Sequence, residues 1–588
     1  MSLLLHPVLP FLLAAVLVRL VPRTVGHAVM VLAPVIALVQ VWRLELGTSV
    51  TVEYLDWELE ILRVDGLSTP FGVVFALAAL IAGVYGIATQ LGPERSAALV
   101  YAGAAFGVVF AGDLLTFFLF WETKAIASTL LILARRTDRS NRAGMRYLFV
   151  HILGGKLLLA GIILHEWQTD SLAFTAFEPG AAGVLIATAC LLSAAVPPLH
   201  AWLADAYPEA TVAGTVFLSA FTTKSAVYAL ARGFAGFEIL IYLGVVMALY
   251  GVLYAMLEND IRRLLSYHIV SQVGFMVAGV GIGTELAING ATAHAFAHIL
   301  YKGLLLMGVG AVLYATGRSK ANVLGGLGNR MKATLTLYMI GAASISSVPL
   351  LSGFVSKEMI VDAAYQSELG AVVILLKIVS VGTFLSTGLK LPYATWFGPQ
   401  GPGPATSEGA SIRVAPIPAT MFLAMGVTAG LNLLLGVAPG LLYALMPEPV
   451  VYTPYSVAKV LEKVQILTFT GLGYWLLLGM LPSKPYVSLD TDWVYRRLPS
   501  LLRSPRRAEA PTPAMAPAGA PDAGTEGATE RGAAPAVDTP AASARPGAAL
   551  LARVFEPSDG PPDVPATWLL GAVILLASLA LLTSSLLW

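Results

Sequence analysis

The chain has 588 residues, of which 57% are hydrophobic and only 12% are charged. A soluble core of this size does not need so many apolar residues, so the composition predicts an integral membrane protein. The formal net charge of +1 lacks the basic excess that phosphate binding requires, which excludes a nucleic-acid partner. The single cysteine, Cys190, excludes an internal disulfide and a four-thiolate iron–sulfur cluster. We expect no cofactor and no metal on this chain, and any redox centre must belong to a partner.

Apolar segments of the length that crosses a bilayer recur along nearly the whole chain. We count roughly sixteen of them, each about twenty residues long. The first is expected to be retained, because no small-residue cleavage site follows it. The sequence therefore predicts an all-α polytopic membrane protein. The positive-inside rule places both termini outside, because one connection that must stay inside carries Arg135, Arg136, Arg139, Arg142 and Arg146.

We divide the chain into six parts. In order, these parts are 1–95, 96–232, 237–397, 415–482, 483–565 and 566–588. The first holds the N-terminal spans and an alternating segment at 44–69 that predicts a short external hairpin. The second, third and fourth consist mainly of spans. The fifth is predicted to begin with an interfacial amphipathic segment, for which a plain surface loop is an equal alternative. A disordered cytoplasmic linker, rich in Ala, Pro and Gly, is predicted to follow. The sixth is predicted to be a final transmembrane helix.

Ionisable side chains inside spans are costly to bury, so each one marks a candidate functional site. For Lys377 and Lys390, snorkelling near a span end remains an equal alternative. That alternative is harder to sustain for Lys156, Lys224 and Lys302, which lie well inside their apolar runs. The complete set is Glu122, Lys124, Lys156, Lys224, His294, His298, Lys302, Lys357, Lys377 and Lys390.

His294, His298 and Lys302 follow one another at intervals of four residues. They therefore line one face of a helix, each about 6 Å further along its axis. Such a series suits a proton relay, because histidine titrates near neutral pH and a desolvated lysine releases its proton more readily than an exposed one. A metal site is the alternative, since histidines at i and i+4 are a common ligand pair. The next residue in the series is a lysine, not a carboxylate or a third histidine, which favours the relay.

Helix breakers accompany two of these charges. Pro197 and Pro198 interrupt one span, and the stretch from Val348 to Lys357 contains a proline and a glycine inside another. Interrupted spans in two parts of a transporter indicate its ion path, because the freed carbonyls can hold water or a cation. A packing kink explains either break alone, but explains two less well when each has an ionisable residue nearby.

Six short stretches resemble the antiporter-like subunits shared by Mrp-type Na+/H+ antiporters and respiratory complex I. The resemblance covers roughly residues 50–450 and is strongest to the D-type subunit of Mrp antiporters. The stretches are Trp121-Glu-Thr-Lys, Pro198-Leu-His-Ala-Trp-Leu-Ala-Asp-Ala, Thr223-Lys-Ser-Ala-Val-Tyr-Ala-Leu, Asp260-Ile-Arg-Arg-Leu-Leu-Ser-Tyr, His294-Ala-Phe-Ala-His and Ser352-Gly-Phe-Val-Ser-Lys-Glu.

The resemblance implies a core of about fourteen spans that contains two inverted five-helix repeats, each with a broken helix. These repeats would occupy 96–232 and 237–397. The C-terminal extension, with about two more spans, departs from the bare core, and its disordered linker differs from the long lateral helix of the longest family members. The resemblance also implies a bacterial cytoplasmic membrane and a hetero-oligomeric complex with other membrane subunits.

Site residues carry over from the family by position. Glu122 resembles the conserved glutamate, Lys224 the central lysine of the first repeat, and Lys357 the exit-side lysine of the second broken helix. His294, His298 and Lys302 resemble the connecting polar axis.

One position departs from the family pattern. Where the family usually has a lysine on the first broken helix, this chain has Ser193. Lys124 lies about 200° around the helix from Glu122 and cannot pair with it directly. We therefore expect Lys156 on the next span to supply the missing charge.

These observations predict a proton-translocating subunit of a multisubunit cation/proton antiporter, with H+ and either Na+ or K+ as its ions. Two alternatives stay open. One is a pumping subunit of a complex I-like or hydrogenase-type redox complex, or of an inorganic-carbon uptake complex. The other is a degenerate scaffold subunit, which Ser193 favours. An enzyme activity on this chain itself is not expected, since a redox complex of this kind, such as an NADH:quinone oxidoreductase, keeps its redox centres on other subunits.

Overall fold

The computed structural model describes residues 6–400, 412–478, 490, 491 and 493. This part of the chain is a bundle of helices with one small β-hairpin. Within it, nine helices are long and apolar enough to cross a membrane. The prediction of a mostly helical, multi-pass membrane protein is confirmed. Most of the predicted part 483–565, and all of 566–588, lie outside the described residues.

The N-terminal part of the structure contains six helices and the hairpin. They are α1 (Leu9–Leu20), α2 (Arg23–Arg43), β1 (Ser49–Tyr54), β2 (Trp57–Arg63), α3 (Ser68–Gly86), α4 (Gly92–Phe110), α5 (Leu114–Leu133) and α6 (Asp138–Thr169). The two strands pair in antiparallel fashion, with Tyr54 opposite Trp57 at the turn. The hairpin predicted at 44–69 is therefore confirmed.

The middle of the chain contains the first broken helix and the most buried helices. Its elements are α7 (Ala181–Ala194), α8 (Ala201–Ala206), α9 (Val212–Ala220), α10 (Thr222–Gly233), α11 (Ile239–Leu257), α12 (Ile261–Ile282) and α13 (Glu285–Thr316). The break between α7 and α8 falls at Pro197 and Pro198, where the missing N–H groups prevent a continuous helix. The first predicted helix break is confirmed.

The C-terminal part contains the second broken helix. Its helices are α14 (Lys332–Ile345), α15 (Ser352–Gln366), α16 (Gly370–Thr383), α17 (Ala419–Val437), α18 (Gly440–Tyr443) and α19 (Val457–Leu477). Between α14 and α15 the backbone passes through the left-handed region at Ser347 (φ 58°) and Leu350 (φ 71°), which a continuous helix excludes. The second predicted break is also confirmed. After α16 the chain continues through π-helical turns at Phe384–Lys390 and Tyr393–Phe397.

Close backbone packing surrounds the centre of the bundle. A Cβ on Gly244 of α11 would lie 2.3 Å from the backbone nitrogen of Ala278, so only glycine lets α11 and α12 approach so closely. Helix α13 in turn packs against α3, α9, α12, α14, α15 and α17. Polar side chains in the middle of α13, from Asn289 to Lys302, are therefore enclosed by protein.

Candidate functional site

The polar face of α13 lies at the centre of the molecule. His294, His298 and Lys302 are all 0% exposed. His294 bridges to neighbouring groups on both sides: its Nδ1 lies 3.1 Å from the Ser356 hydroxyl on α15, and its Nε2 lies 3.3 Å from the Tyr301 hydroxyl. One histidine thus connects the central helix to the second broken helix.

His298 and Lys302 lack these fixed partners. The two ring nitrogens of His298 have no hydrogen-bond partner among the described residues, and the Lys302 ammonium has none there either. Lys224, Lys302, His294 and Lys357 all lie close enough to His298 to interact with it electrostatically. Buried polar groups without fixed partners are costly in a structural role, but suit a group that exchanges protons or binds water. His298 is therefore the centre of the charged cluster.

Lys224 approaches this cluster from α10. Its ammonium donates to the Ser219 carbonyl at 2.7 Å and to the Thr223 hydroxyl at 3.2 Å. The Ser219 carbonyl lies near the end of α9, where the helix is interrupted before α10 and a carbonyl needs another donor. Lys224 and Lys302 interact electrostatically, which links the first predicted repeat to the α13 face.

Lys357 uses the second broken helix in the same way. It lies in α15, and its ammonium donates to the Ile345 carbonyl, the last residue of α14, at 2.8 Å. The ammonium also lies 5.0 Å from the centre of the Phe275 ring. In both predicted repeats, therefore, a buried lysine donates a hydrogen bond to a carbonyl at the end of an interrupted helix. At the second predicted break, where freed carbonyls were expected to hold water or a cation, the Ile345 carbonyl holds a lysine.

Further polar residues lie near this line, and one of them, His268, was not identified from the sequence. His268 of α12 is fully buried, and its Nε2 lies 2.7 Å from the Ser386 hydroxyl in the π-helical turns. Lys390 donates to the carbonyls of Met256 and Glu258, at 2.5 and 2.9 Å. The available signal was the spacing of His268 and Gln272, two polar residues four apart in an apolar run. Together these residues extend the polar line away from Lys302.

The residues expected near the first broken helix are arranged differently from the prediction. Glu122 is half-buried on α5 and packs on Gly155 of α6, with its Oε1 lacking a hydrogen-bond partner among the described residues. Lys156 interacts with Glu122 electrostatically and lies on the exposed face of α6. Lys124 is the buried lysine: its ammonium lies 3.7 Å above the Trp121 ring and close to Cys190 of α7.

A family model described as NADH:quinone oxidoreductase/Mrp antiporter, TM, matches residues 111–386. That interval includes both broken helices and the whole buried line from Lys224 to Lys357. Over residues 111–386 the chain matches this antiporter-like family. Within the described residues, no group of three or more His, Cys, Asp or Glu side chains is placed to hold a metal ion.

Individual members of the family cover most of the chain. The D-type Na(+)/H(+) antiporter subunit of Alkalihalophilus pseudofirmus is 29% identical over 395 residues, which are 60% of this chain and 79% of that one. A chain of the Mrp complex from Dietzia sp. DQ12-45-1b is 25% identical with a TM-score of 0.67, covering 78% of this chain and 100% of that chain. A chain of the membrane-bound sulfane sulfur reductase, an archaeal respiratory membrane complex, is 26% identical with a TM-score of 0.68, covering 82% and 86%. The chain spans only 50% to 62% of several longer curated relatives.

A chain of buried hydroxyl groups joins α5 to α10. The Tyr147 hydroxyl lies 2.9 Å from that of Ser128 and 3.4 Å from that of Thr222, which in turn lies 2.7 Å from the Tyr101 hydroxyl. Ser128 follows Lys124 by one helical turn, and Thr222 is two residues before Lys224. The hydroxyl chain therefore spans the interval between the two buried lysines of the first half.

The first broken helix also holds a buried acid that sequence reasoning missed. His200 lies in the break before α8, and its Nε2 is 3.1 Å from the Asp490 carboxylate, with both side chains at most 1% exposed. The hydroxyls of Tyr250 and Tyr267 donate to the same carboxylate, at 2.5 and 2.6 Å. The position of Asp490, 290 residues after His200, gave no local signal of this contact.

Proposed function

We propose that this chain is the proton-translocating membrane subunit of a multisubunit monovalent cation/proton antiporter. The supporting observation is the buried line of titratable groups that runs from Lys224 through the α13 face to Lys357. It lies within the interval that the antiporter-like family model matches. Partner subunits, the bacterial cytoplasmic membrane and the two inverted repeats of a core of about fourteen spans belong to the same proposal.

Protons move along this line by displacing one another's charge. An ammonium at Lys224 raises the energy of a second positive charge at His298 or Lys302, because the protein interior screens charges poorly. A proton that arrives at Lys224 therefore drives the next one toward Lys357. His294 holds the last step, since it contacts Ser356, the residue immediately before Lys357.

Lys124 is proposed to replace the family lysine whose position is occupied by Ser193 in this chain. Its ammonium is buried beside Cys190, one helical turn before Ser193 on α7. The hydroxyl chain then provides a path from this region to Lys224. Glu122 on α5 and Lys156 on α6 would act on the exposed side of these two helices, as a charge pair that responds to a neighbouring subunit.

The assembled complex, reconstituted into liposomes with a pH-sensitive dye inside, tests this function. Addition of Na+ or K+ to one side should drive proton movement across the membrane. Liposomes that contain the complex without this chain are the control. Absence of cation-dependent proton flux in the complete complex would contradict the proposal.

A redox-driven pump subunit is the second candidate, and the sulfane sulfur reductase similarity favours it, because that chain matches as well as the Mrp chain does. In this case the copurified complex would contain iron–sulfur or flavin subunits. Proton movement would then depend on an electron donor and acceptor and would not respond to added cations.

A further inference from the structure

Helix α19 contacts the second broken helix through two lysine–carboxylate pairs. The Lys463 ammonium lies 2.7 Å from the Glu358 carboxylate, and the Lys459 ammonium lies 2.6 Å from the Asp362 carboxylate. Both lysines and both acids are four residues apart, in opposite order along the chain. The two helices therefore run antiparallel along this contact, with one pair on each of two successive turns.

The two pairs differ in their surroundings. The side chains of Lys463 and Glu358 are only 5% and 7% exposed, whereas those of Lys459 and Asp362 are 27% and 22% exposed. The Tyr452 hydroxyl also donates to Asp362 at 2.5 Å. An exposed pair contributes little, but a buried charge must be neutralised. The Lys463–Glu358 contact is thus the one whose loss leaves an uncompensated charge.

That buried pair lies next to the exit lysine of the proposed path. Glu358 follows Lys357 in the chain, and both Glu358 and Lys463 interact with Lys357 electrostatically. The Lys357 ammonium itself is bonded to the neutral Ile345 carbonyl. Adjacent residues on a helix point in different directions, so Glu358 acts on Lys357 through its field and not through a direct bond.

We propose that Lys463 is a positioning residue for proton release, because it neutralises the field of Glu358 at Lys357. With the pair intact, Lys357 has only a neutral partner and can give up its proton. Without Lys463, the uncompensated carboxylate holds the proton on Lys357 and stops release at the second broken helix. This inference rests on the proposed function and adds a residue outside the interval that the family model matches.

A purely mechanical role for α19 is the competing explanation. In that case both lysines hold α15 in place, and Lys459 and Lys463 are equivalent. The charge at Glu358 would then be irrelevant once its partner is gone. The two explanations differ in their response to a second mutation, because removing both charges restores electrical balance but not the mechanical contact.

Initial cation-dependent proton flux per assembled complex is measured for Lys463→Met, Glu358→Gln/Lys463→Met, Lys463→Arg and Lys459→Met. Because a protein interior screens charges poorly, an unpaired Glu358 should hold the proton on Lys357, so Lys463→Met should lose flux by about tenfold or more. Lys463→Arg should keep most of the flux, and Lys459→Met should remain within about twofold of wild type. The double variant should recover at least part of the flux that Lys463→Met loses.

Wild-type flux in Lys463→Met, equal losses in Lys459→Met and Lys463→Met, or a double variant no better than Lys463→Met would overturn the inference. If Lys463→Met does not assemble, the inference is tested on the double variant, because the double variant buries no unpaired charge. An assembled double variant without flux overturns the inference. Lys357→Ala in the same assay separates the two proposals. Full flux in Lys357→Ala, or none in wild type, contradicts the proposed function, whereas an inactive Lys357→Ala beside a fully active Lys463→Met contradicts only the role of Lys463.

Discussion

Glu122 is half-buried at the surface between α5 and α6, with Lys156 as its nearest proposed counter-charge. We predict that its charge matters more than its bulk. Glu122→Gln should reduce proton flux nearly as much as Glu122→Ala, whereas Glu122→Asp keeps part of it. Glu178→Gln, at an exposed position, is the matched control. A fully active Glu122→Gln beside an inactive Glu122→Ala would identify Glu122 as a packing residue.

Lys124 and Lys156 compete for the role of the missing family lysine, and their burial separates them. Lys124→Leu should stop most of the flux, because Lys124 is the buried ammonium next to α7. Lys156→Leu should lose less, because Lys156 is exposed. Adding Ser193→Lys to Lys124→Leu should restore part of the flux. If instead only Lys156→Leu is inactive and Ser193→Lys rescues it, Lys156 is the functional lysine. Absence of flux in the wild-type complex would favour the scaffold alternative.

At the scale of elements, the hydroxyl chain gives a prediction about Tyr147. Tyr147→Phe removes one hydroxyl, but keeps the ring that stacks on His151 with centroids 4.0 Å apart. Assembly should therefore be unaffected. Because one hydrogen bond is worth about 0.5–1.5 kcal/mol, we expect flux to fall by roughly two- to tenfold. The control is Tyr338→Phe, which removes a buried hydroxyl that is not part of the hydroxyl chain. An equal effect of the two substitutions would contradict a role of the hydroxyl chain in proton movement.

The elements themselves could be predicted from the sequence to a large extent. Both helix breaks follow from local chemistry: Pro197 and Pro198 remove donors, and the segment after Val348 combines a proline with a glycine. The polar face of α13 follows from helical spacing alone. Helix α9 was not separated from α10, because no proline or glycine marks the interruption at Phe221.

The contacts between distant elements could not be predicted in this way. A lysine on a span is visible in the sequence, but the side of the helix it occupies depends on neighbouring helices. Lys124 and Lys156 both lie on apolar spans, but Lys156 is exposed and Lys124 is buried. Glu358 and Lys463 are 105 residues apart, and no local pattern connects them. Such pairs depend on how the whole bundle packs.

At the scale of the whole molecule, Asp490, which follows α19 in the chain, contacts His200 in the first broken helix. Asp490→Ala would leave His200 and the hydroxyls of Tyr250 and Tyr267 buried without their acceptor. Breaking a buried pair of this kind costs about 3–5 kcal/mol, so the unfolding temperature of the purified complex should fall clearly. Thr491→Val, which loses only a 3.3 Å hydrogen bond to the Pro198 carbonyl, is the control and should change it little. Unchanged stability in Asp490→Ala would show that this contact does not stabilise the complex.

The central claim is that protons leave through the buried line that ends at Lys357, and cation-dependent proton flux in liposomes that contain the assembled complex tests it directly. Lys357→Ala removes the only side chain that bonds the Ile345 carbonyl among the described contacts, and should abolish flux without loss of assembly. Lys332→Ala, at an exposed position on α14, should leave flux unchanged. Normal flux in an assembled Lys357→Ala complex would contradict the account.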